Sequence, residues 1–256
     1  MRISAIGLTD VGLQREHNED SYRIVDQHGL YLVADGMGGH QAGDVASKMA
    51  ADTIVSFFDS TQQEDATWPF PVDPHLTIEE NRLTAAIKLA NRQIFNLSHS
   101  DAALHGMGTT IVGMTFLLEQ NLAYIAHVGD SRAYRTRDGE ITQITRDHSL
   151  VNDYLNMMPD MPLEAMEVVP KNVITRALGM QESVVVDIGR KKIQPGDRFL
   201  LCTDGLSGMV PEPRLKEILA NVTADNLETR VRDLIQSAND AGGEDNITVI
   251  IVALDE

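Results

Sequence analysis

The sequence predicts an α+β domain built on antiparallel sheets, and three observations carry that expectation. Apolar segments of strand length cluster in the middle and at the end of the chain instead of alternating strictly with helices. Short turn sequences, "RDGE" at Arg137–Glu140 and "QPGD" at Gln194–Asp197, lie between strands in hairpin fashion. Three longer segments carry a helical apolar stripe.

In chain order, "LYLVAD" from Leu30 runs apolar and β-rich, as a strand buried on at least one face does. It enters a glycine-rich turn, and "DVASKMAADTIVSFF" then sets Val45, Ala46, Met49, Ala50, Ile54, Phe57 and Phe58 on one helical stripe behind Asp44, the expected N-cap. A second helix fits "NRLTAAIKLANRQIFNLS", through Leu83, Ala86, Ile87, Ala90, Ile94 and Leu97. The segments "GTTIVGMTFLL" from Gly108, "LAYIAHVGD" from Leu122, "DRFLLCTDG" from Asp197 and "NITVIIVAL" from Asn246 read as further strands. Between the last two, "DNLETRVRDLIQSANDAGG" aligns Leu227, Val231, Leu234 and Ile235 on a helix closed by Gly242. Two proline-bearing stretches interrupt this order, one after Ser60 containing Trp68 and Phe70, and one after Leu155 carrying four methionines. Both are expected to be surface excursions of a single domain spanning 1–256, the Trp68 stretch packing as a strap.

Composition narrows the function classes. The 256 residues are 43% hydrophobic, enough for one sizeable core. A formal charge of −17 repels nucleic acid and anionic membrane surfaces and favours basic partners or cations. One cysteine, Cys202, cannot form an internal disulfide, and the N-terminus lacks a signal-peptide core, so a cytoplasmic location is expected. No run approaches the roughly twenty apolar residues of a membrane helix. Neither G-x-x-x-x-G-K-[ST], G-x-G-x-x-G nor G-x-S-x-G occurs, and Cys202 has no arginine in the loop beyond it to serve a thiolate phosphatase. Cys202 therefore reads as a small buried apolar residue.

The informative pattern is aspartate where apolar strands stop. Asp35 follows "LYLVA", Asp130 follows "AYIAHVG", Asp204 follows "FLLCT", and Asp245 precedes "NITVIIV"; Glu19 and Asp20 form a further acidic pair. Carboxylates gathered at one end of a sheet system repel unless a cation lies between them. Oxygen ligation of this kind suits Mg²⁺ or Mn²⁺ over zinc or copper. A glycine follows Asp in "ADGMGGH" and "TDGLSG", which leaves the backbone free for close approach.

These residues lie in blocks that resemble the bacterial metal-dependent protein serine/threonine phosphatases of the PPM (type 2C) family. The blocks are "TDVGLQREHNEDS", "LYLVADGMGGHQAGDVAS", "GMGTTIVG", "AHVGDSRAYR", "ITRDHSLV", "NVITRALG", "FLLCTDGLSGMV" and "GGEDNITVIIV", in that order and across nearly the whole chain. The resemblance implies a four-layer α-β-β-α sandwich, two antiparallel sheets flanked by helices, with metals in a cleft at one end. It implies two core Mn²⁺ or Mg²⁺ ions held by Asp35, the Gly36 carbonyl, Asp204 and Asp245, with Glu19 and Asp20 lining the site. Asp130 matches a third, weaker ion site, and Arg15 matches the phosphate-clamping arginine, whose planar fork grips two oxygens. The family's acid histidine directly follows the first Asp-Gly, where this chain has Met37. His40, a little further on, is the residue assigned to protonate or orient the departing serine or threonine oxygen.

Asp147, His148 and Arg176 fall in motifs bracketing the family's flap, here an excursion at about 149–176 whose "VNDYLNMMPDMPLEAMEVVPKN" departs from the usual charged segment. The expected activity is hydrolysis of phosphoserine and phosphothreonine proteins, opposing a serine/threonine kinase, by a monomer that binds neither nucleic acid nor membrane. Two other functions fit the same blocks. One is a phosphoprotein-binding module without turnover, whose mark would be a lost metal carboxylate. The other is a small-phosphoester hydrolase, which a panel of phosphopeptides and phosphorylated metabolites separates from the first.

Overall fold

The computed structural model describes residues 1–38, 42–62, 68–158, 169–170 and 173–256. One sheet has the order β1 (Arg2–Asp10), β11 (Ile247–Asp255), β10 (Arg198–Cys202), β7 (Arg132–Arg137), β8 (Glu140–Gln143). The other runs β2 (Asp20–Val25), β3 (Leu30–Met37), β5 (Ile111–Leu117), β6 (Leu122–Val128), β9 (Asp187–Lys192), with the short β4 (Gly108–Thr109) paired to the end of β3. Every pairing within the two sheets is antiparallel.

Side chains alternate across each strand, and both faces of the central strands are covered. Leu30, Leu32 and Ala34 of β3 pack against helices α1 (Ala42–Ser60) and α2 (Ile78–Ser100), together with Ala46, Ile54, Phe58, Leu83, Ile87 and Ile94. Tyr31 and Val33 of the same strand point the other way, into a layer between the sheets with Val112, Phe116, Phe199, Leu201, Ile250 and Val252. Leu200, Cys202, Val249 and Ile251 turn outward onto Leu215, Ile218, Val231 and Leu234. These last four belong to α5 (Glu212–Ala220) and α6 (Leu227–Asp240), which follow α3 (Leu150–Met157) and the single turn α4 (Asp204–Ser207). The result is the expected four-layer sandwich. Each large side chain fully buried in these layers contributes on the order of 1.5–3 kcal/mol.

The three predicted helices are all present with the predicted stripes inward. Asp44 does not cap the first of them: α1 starts two residues earlier and places Asp44 in its first turn, where the carboxylate still favours the helix dipole. α2 opens on a capping box instead, Thr77 Oγ1 accepting from the Glu80 N–H at 3.3 Å while Glu80 Oε2 accepts from the Thr77 N–H at 2.8 Å. "RDGE" is a true hairpin, Arg137 pairing with Glu140 across a turn in which Asp138 and Gly139 have φ of 52° and 77°. "QPGD" is a turn but not a hairpin, because β9 and β10 lie in different sheets and the chain crosses from one to the other there. Asp197 anchors that crossing: its buried carboxylate accepts from Arg137 Nε and Nη2, both at 2.6 Å, and from the Gln194 N–H at 3.0 Å. Trp68 and Phe70 pack on the helical layer, Trp68 edge-on to Phe57 with centroids 5.9 Å apart, as the strap reading expects.

Candidate active site

The strand ends meet at one end of the sandwich. Asp20, the first residue of β2, is the cross-strand partner of Asp35 near the end of β3, so the two carboxylates share a face. From the other sheet, Asp204 opens α4 directly after β10, and Asp245 immediately precedes Asn246 and β11. The sheets are stitched here: Asp20 Oδ2 accepts from Thr203 Oγ1 at 2.9 Å and from Thr248 Oγ1 at 2.6 Å. Asn246 adds a second stitch, its Oδ1 accepting from the Glu19 N–H and its own N–H donating to Asp245 Oδ1, each at 2.8 Å. The Asp35 carbonyl accepts from the Thr110 N–H and Thr109 Oγ1, each at 2.8 Å, and Thr110 Oγ1 continues to Ser131 Oγ at 2.7 Å. Asp130 follows β6 nearby, close enough for Asp204 to influence its charge.

The glycines beside these acids are required by backbone packing. A Cβ on Gly36 would lie 2.2 Å from the Gly43 carbonyl oxygen and 2.5 Å from that of Glu19, and one on Gly205 would lie 2.0 Å from the Asn246 carbonyl oxygen. The absent side chains let chain segments pack closely here and hold the site together.

Electrostatically the cluster is under strain. Burial pushes Asp20 and Asp35 well above the usual carboxylate range, and their neighbours Asp204 and Asp245 push both further. Asp204 and Glu19 are also raised, chiefly by burial, and Asp130 is pushed up to about 7 by burial and by Asp204. Four buried oxygens, Glu19 Oε1, Asp20 Oδ1, Asp130 Oδ1 and Asp204 Oδ1, have no hydrogen-bond partner among the described residues. Orphaned anionic acceptors in one buried cluster are what a hard divalent cation satisfies, so the donor set fits Mg²⁺ or Mn²⁺. At the rim, Arg15 Nη2 lies 2.7 Å from Asp245 Oδ2 with half its side chain exposed. His40 lies outside the described residues.

A second group, His127, His148 and Asp187, has ligand-type atoms within 4.8 Å of one another. The sequence placed His148 in a motif but offered no spacing that joins it to His127 or Asp187. The two imidazoles stack 4.7 Å apart with planes 10° from parallel, so their in-plane lone pairs do not converge on one point. His148 Nδ1 accepts from the Gly129 N–H at 3.0 Å, and Arg176 Nη1 sits 2.9 Å from Nε2 and 2.6 Å from Asp187 Oδ1. This is a clamp on the turn before Asp130. Asp147 likewise is engaged structurally, bound by Arg132 at 2.7 Å.

Compared with known proteins, the sequence model of the protein phosphatase 2C family matches residues 14–239. The chain belongs to the protein phosphatase 2C family. This phosphatase is 39% identical to the serine/threonine phosphatase stp of Listeria monocytogenes over 96% of its own chain and 94% of that relative. The crystal structure of the Mycobacterium tuberculosis serine/threonine phosphatase PstP/Ppp matches it with a TM-score of 0.84 at 33% identity, covering 99% of each chain. The PstP catalytic domain solved in complex with two manganese ions matches at a TM-score of 0.81 and 32% identity, again over 99% of each. In the phosphatase itself, Cys202 is fully buried and its thiol is pushed up to about 12 by that burial, which rules it out as a nucleophile.

Proposed function

We propose that this serine/threonine protein phosphatase hydrolyses phosphoserine and phosphothreonine proteins directly, without a covalent phosphoenzyme. Asp35, the Gly36 carbonyl, Asp204 and Asp245 would hold two Mn²⁺ or Mg²⁺ ions, with Glu19 and Asp20 lining the site and Asp130 serving a third, weaker one. When bound, such ions lower the pKa of water and neutralise charge on the phosphoryl oxygens. Thr203, Thr248 and Asn246 keep Asp20, Glu19 and Asp245 in place, so the ligand set is organised before any ion arrives. Arg15, exposed beside Asp245, turns its guanidinium fork to two phosphate oxygens when substrate enters. His40 is assigned to the leaving oxygen on motif resemblance alone.

The observation that carries this reading is the set of four buried carboxylate oxygens without a partner, contributed from both sheets. The chain acts as one catalytic domain over 1–256 and as a monomer, on proteins phosphorylated by a serine/threonine kinase of the same cell. The test is hydrolysis of a phosphothreonine peptide by chelator-stripped protein with Mn²⁺, Mg²⁺, Ca²⁺ or nothing restored. Activity returning with Mn²⁺ or Mg²⁺ supports the reading; silence with every ion, in protein shown to be folded, overturns it in favour of a binding module.

A further inference from the structure

Beside the carboxylate centre runs a groove of about 480 Å³ that the reaction described above does not use. Met37, Ala177, Met180, Val184 and Val185 supply its apolar walls. Met37 is the last residue of β3 and the cross-strand partner of Gly108, so the groove begins two positions beyond Asp35.

The opposite wall is a built surface. Asn91, buried on α2, accepts from the Gly179 N–H at 2.9 Å and donates from Nδ2 to the carbonyls of Gln181 and Glu182, each at 3.1 Å. Leu178 exchanges two backbone hydrogen bonds with Thr109, at 2.8 and 3.1 Å, and Thr109 Oγ1 in turn donates to the Asp35 carbonyl. The wall is thereby fastened to the strand end that carries the catalytic centre.

Yet its apolar side chains stand in water: Met180 is 53% exposed and Val185 68%. Among the described lining residues the cation is Arg176, already engaged by Asp187 at 2.6 Å and by the Val185 carbonyl at 3.2 Å, so these residues present no free charge to a second phosphate. Its volume is that of a small-ligand site and accommodates side chains of an extended peptide. Exposed methionine and valine on a rigid backing are suited to apolar contact that adapts to shape.

We infer that this groove is a specificity subsite, which receives an apolar side chain of the substrate protein flanking the phosphorylated serine or threonine. The inference rests on the phosphatase reading and names the sequence preference that accompanies it. Continuity with the centre decides the occupant: a phosphorylated residue seated at the carboxylates leaves its neighbours in the chain to run over Met37 and Met180.

The test uses the full chain with Mn²⁺ and a set of phosphothreonine peptides carrying Leu or Asp at each of three positions on either side of the phosphoresidue. p-Nitrophenyl phosphate, which has no flanking residue, is the control. At one or more positions the Leu peptide should show about tenfold higher kcat/KM than its Asp counterpart, expressed in KM. Met180→Glu and Val185→Glu, both at exposed positions, should reduce that ratio to less than about twofold while p-nitrophenyl phosphate turnover and thermal melting stay unchanged. Uniform cleavage of all peptides, or a preference that survives both variants, overturns the groove and leaves the phosphatase reading standing. If wild-type protein cleaves neither peptide nor p-nitrophenyl phosphate, the phosphatase reading fails and the subsite falls with it.

Discussion

Asp35 and Asp204 are the most consequential acids in the molecule, because they come from different sheets and the charge of Asp204 adds to burial in raising Asp35. Asp35→Asn and Asp204→Asn should each abolish metal-dependent phosphopeptide turnover. Each should also relieve repulsion, so the chelated variants should melt at or above the temperature of chelated wild type and lose the rise that Mn²⁺ produces. Wild-type activity in both variants would sink the metal reading. Arg15 makes a different contribution, since its guanidinium touches Asp245 from the solvent side with half its side chain exposed. Arg15→Ala should lower kcat/KM by roughly 10–100-fold, the value of a charge-assisted hydrogen bond pair. Arg15→Lys should recover little of that loss, because an ammonium cannot grip two oxygens in one plane. Equal activity of the lysine variant would remove the clamp from the account. Asp35 and Asp204 were legible from the sequence because strand-terminal aspartates stand out against apolar runs, whereas Arg15 was marked only by the family resemblance. The clamp of His127, His148 and Asp187 was not, since its members sit on separate elements and meet only when β6 pairs with β9.

At the scale of elements, the crossing between sheets at Gln194–Asp197 concentrates several interactions on one buried side chain. Asp197→Ala would strand Arg137, whose side chain is 25% exposed and so partly solvated, and would release the Gln194 N–H from the turn. A fully buried broken pair costs about 3–5 kcal/mol; the partial exposure of Arg137 brings the expected loss to about 2–3 kcal/mol. Urea denaturation would measure it, with turnover at low temperature little changed; a loss below about 0.5 kcal/mol would show that the turn does not depend on this carboxylate. Strands that entered both buried layers, β3, β5, β6, β10 and β11, announced themselves as apolar runs. β9 did not, because as an edge strand it is largely solvent-exposed and reads "DIGRKK". The error over "QPGD" has the same origin: a turn sequence specifies a reversal of direction but not which sheet the next strand joins.

For the whole molecule, the carboxylate cluster links stability to pH. Glu19, Asp20, Asp35, Asp130 and Asp204 all have folded-state values raised by burial, so the metal-free fold retains protons that the unfolded chain releases. Their penalty is absent below the unfolded values and grows as pH rises, through about 7 for Asp130. His127 and His148 act in the opposite sense, being lowered by burial, but their contribution is complete once pH exceeds about 6.5. Chelated protein should therefore lose thermal stability between about pH 6.5 and 8. Saturating Mn²⁺ should flatten that decline and release protons on binding; stability that rises with pH in the chelated protein would contradict the buried-charge account. The amino-acid sequence by itself determined the layer composition and the identity of the acids, because strand and helix periodicity and the residues at strand ends are local properties of the chain. Only the tertiary structure decided which acids share a face, that their oxygens lack partners, and that Asn91 and Leu178 hold a groove with apolar side chains in its walls against β3. Those relations arise from pairing and packing between segments far apart in the chain, which no local pattern encodes.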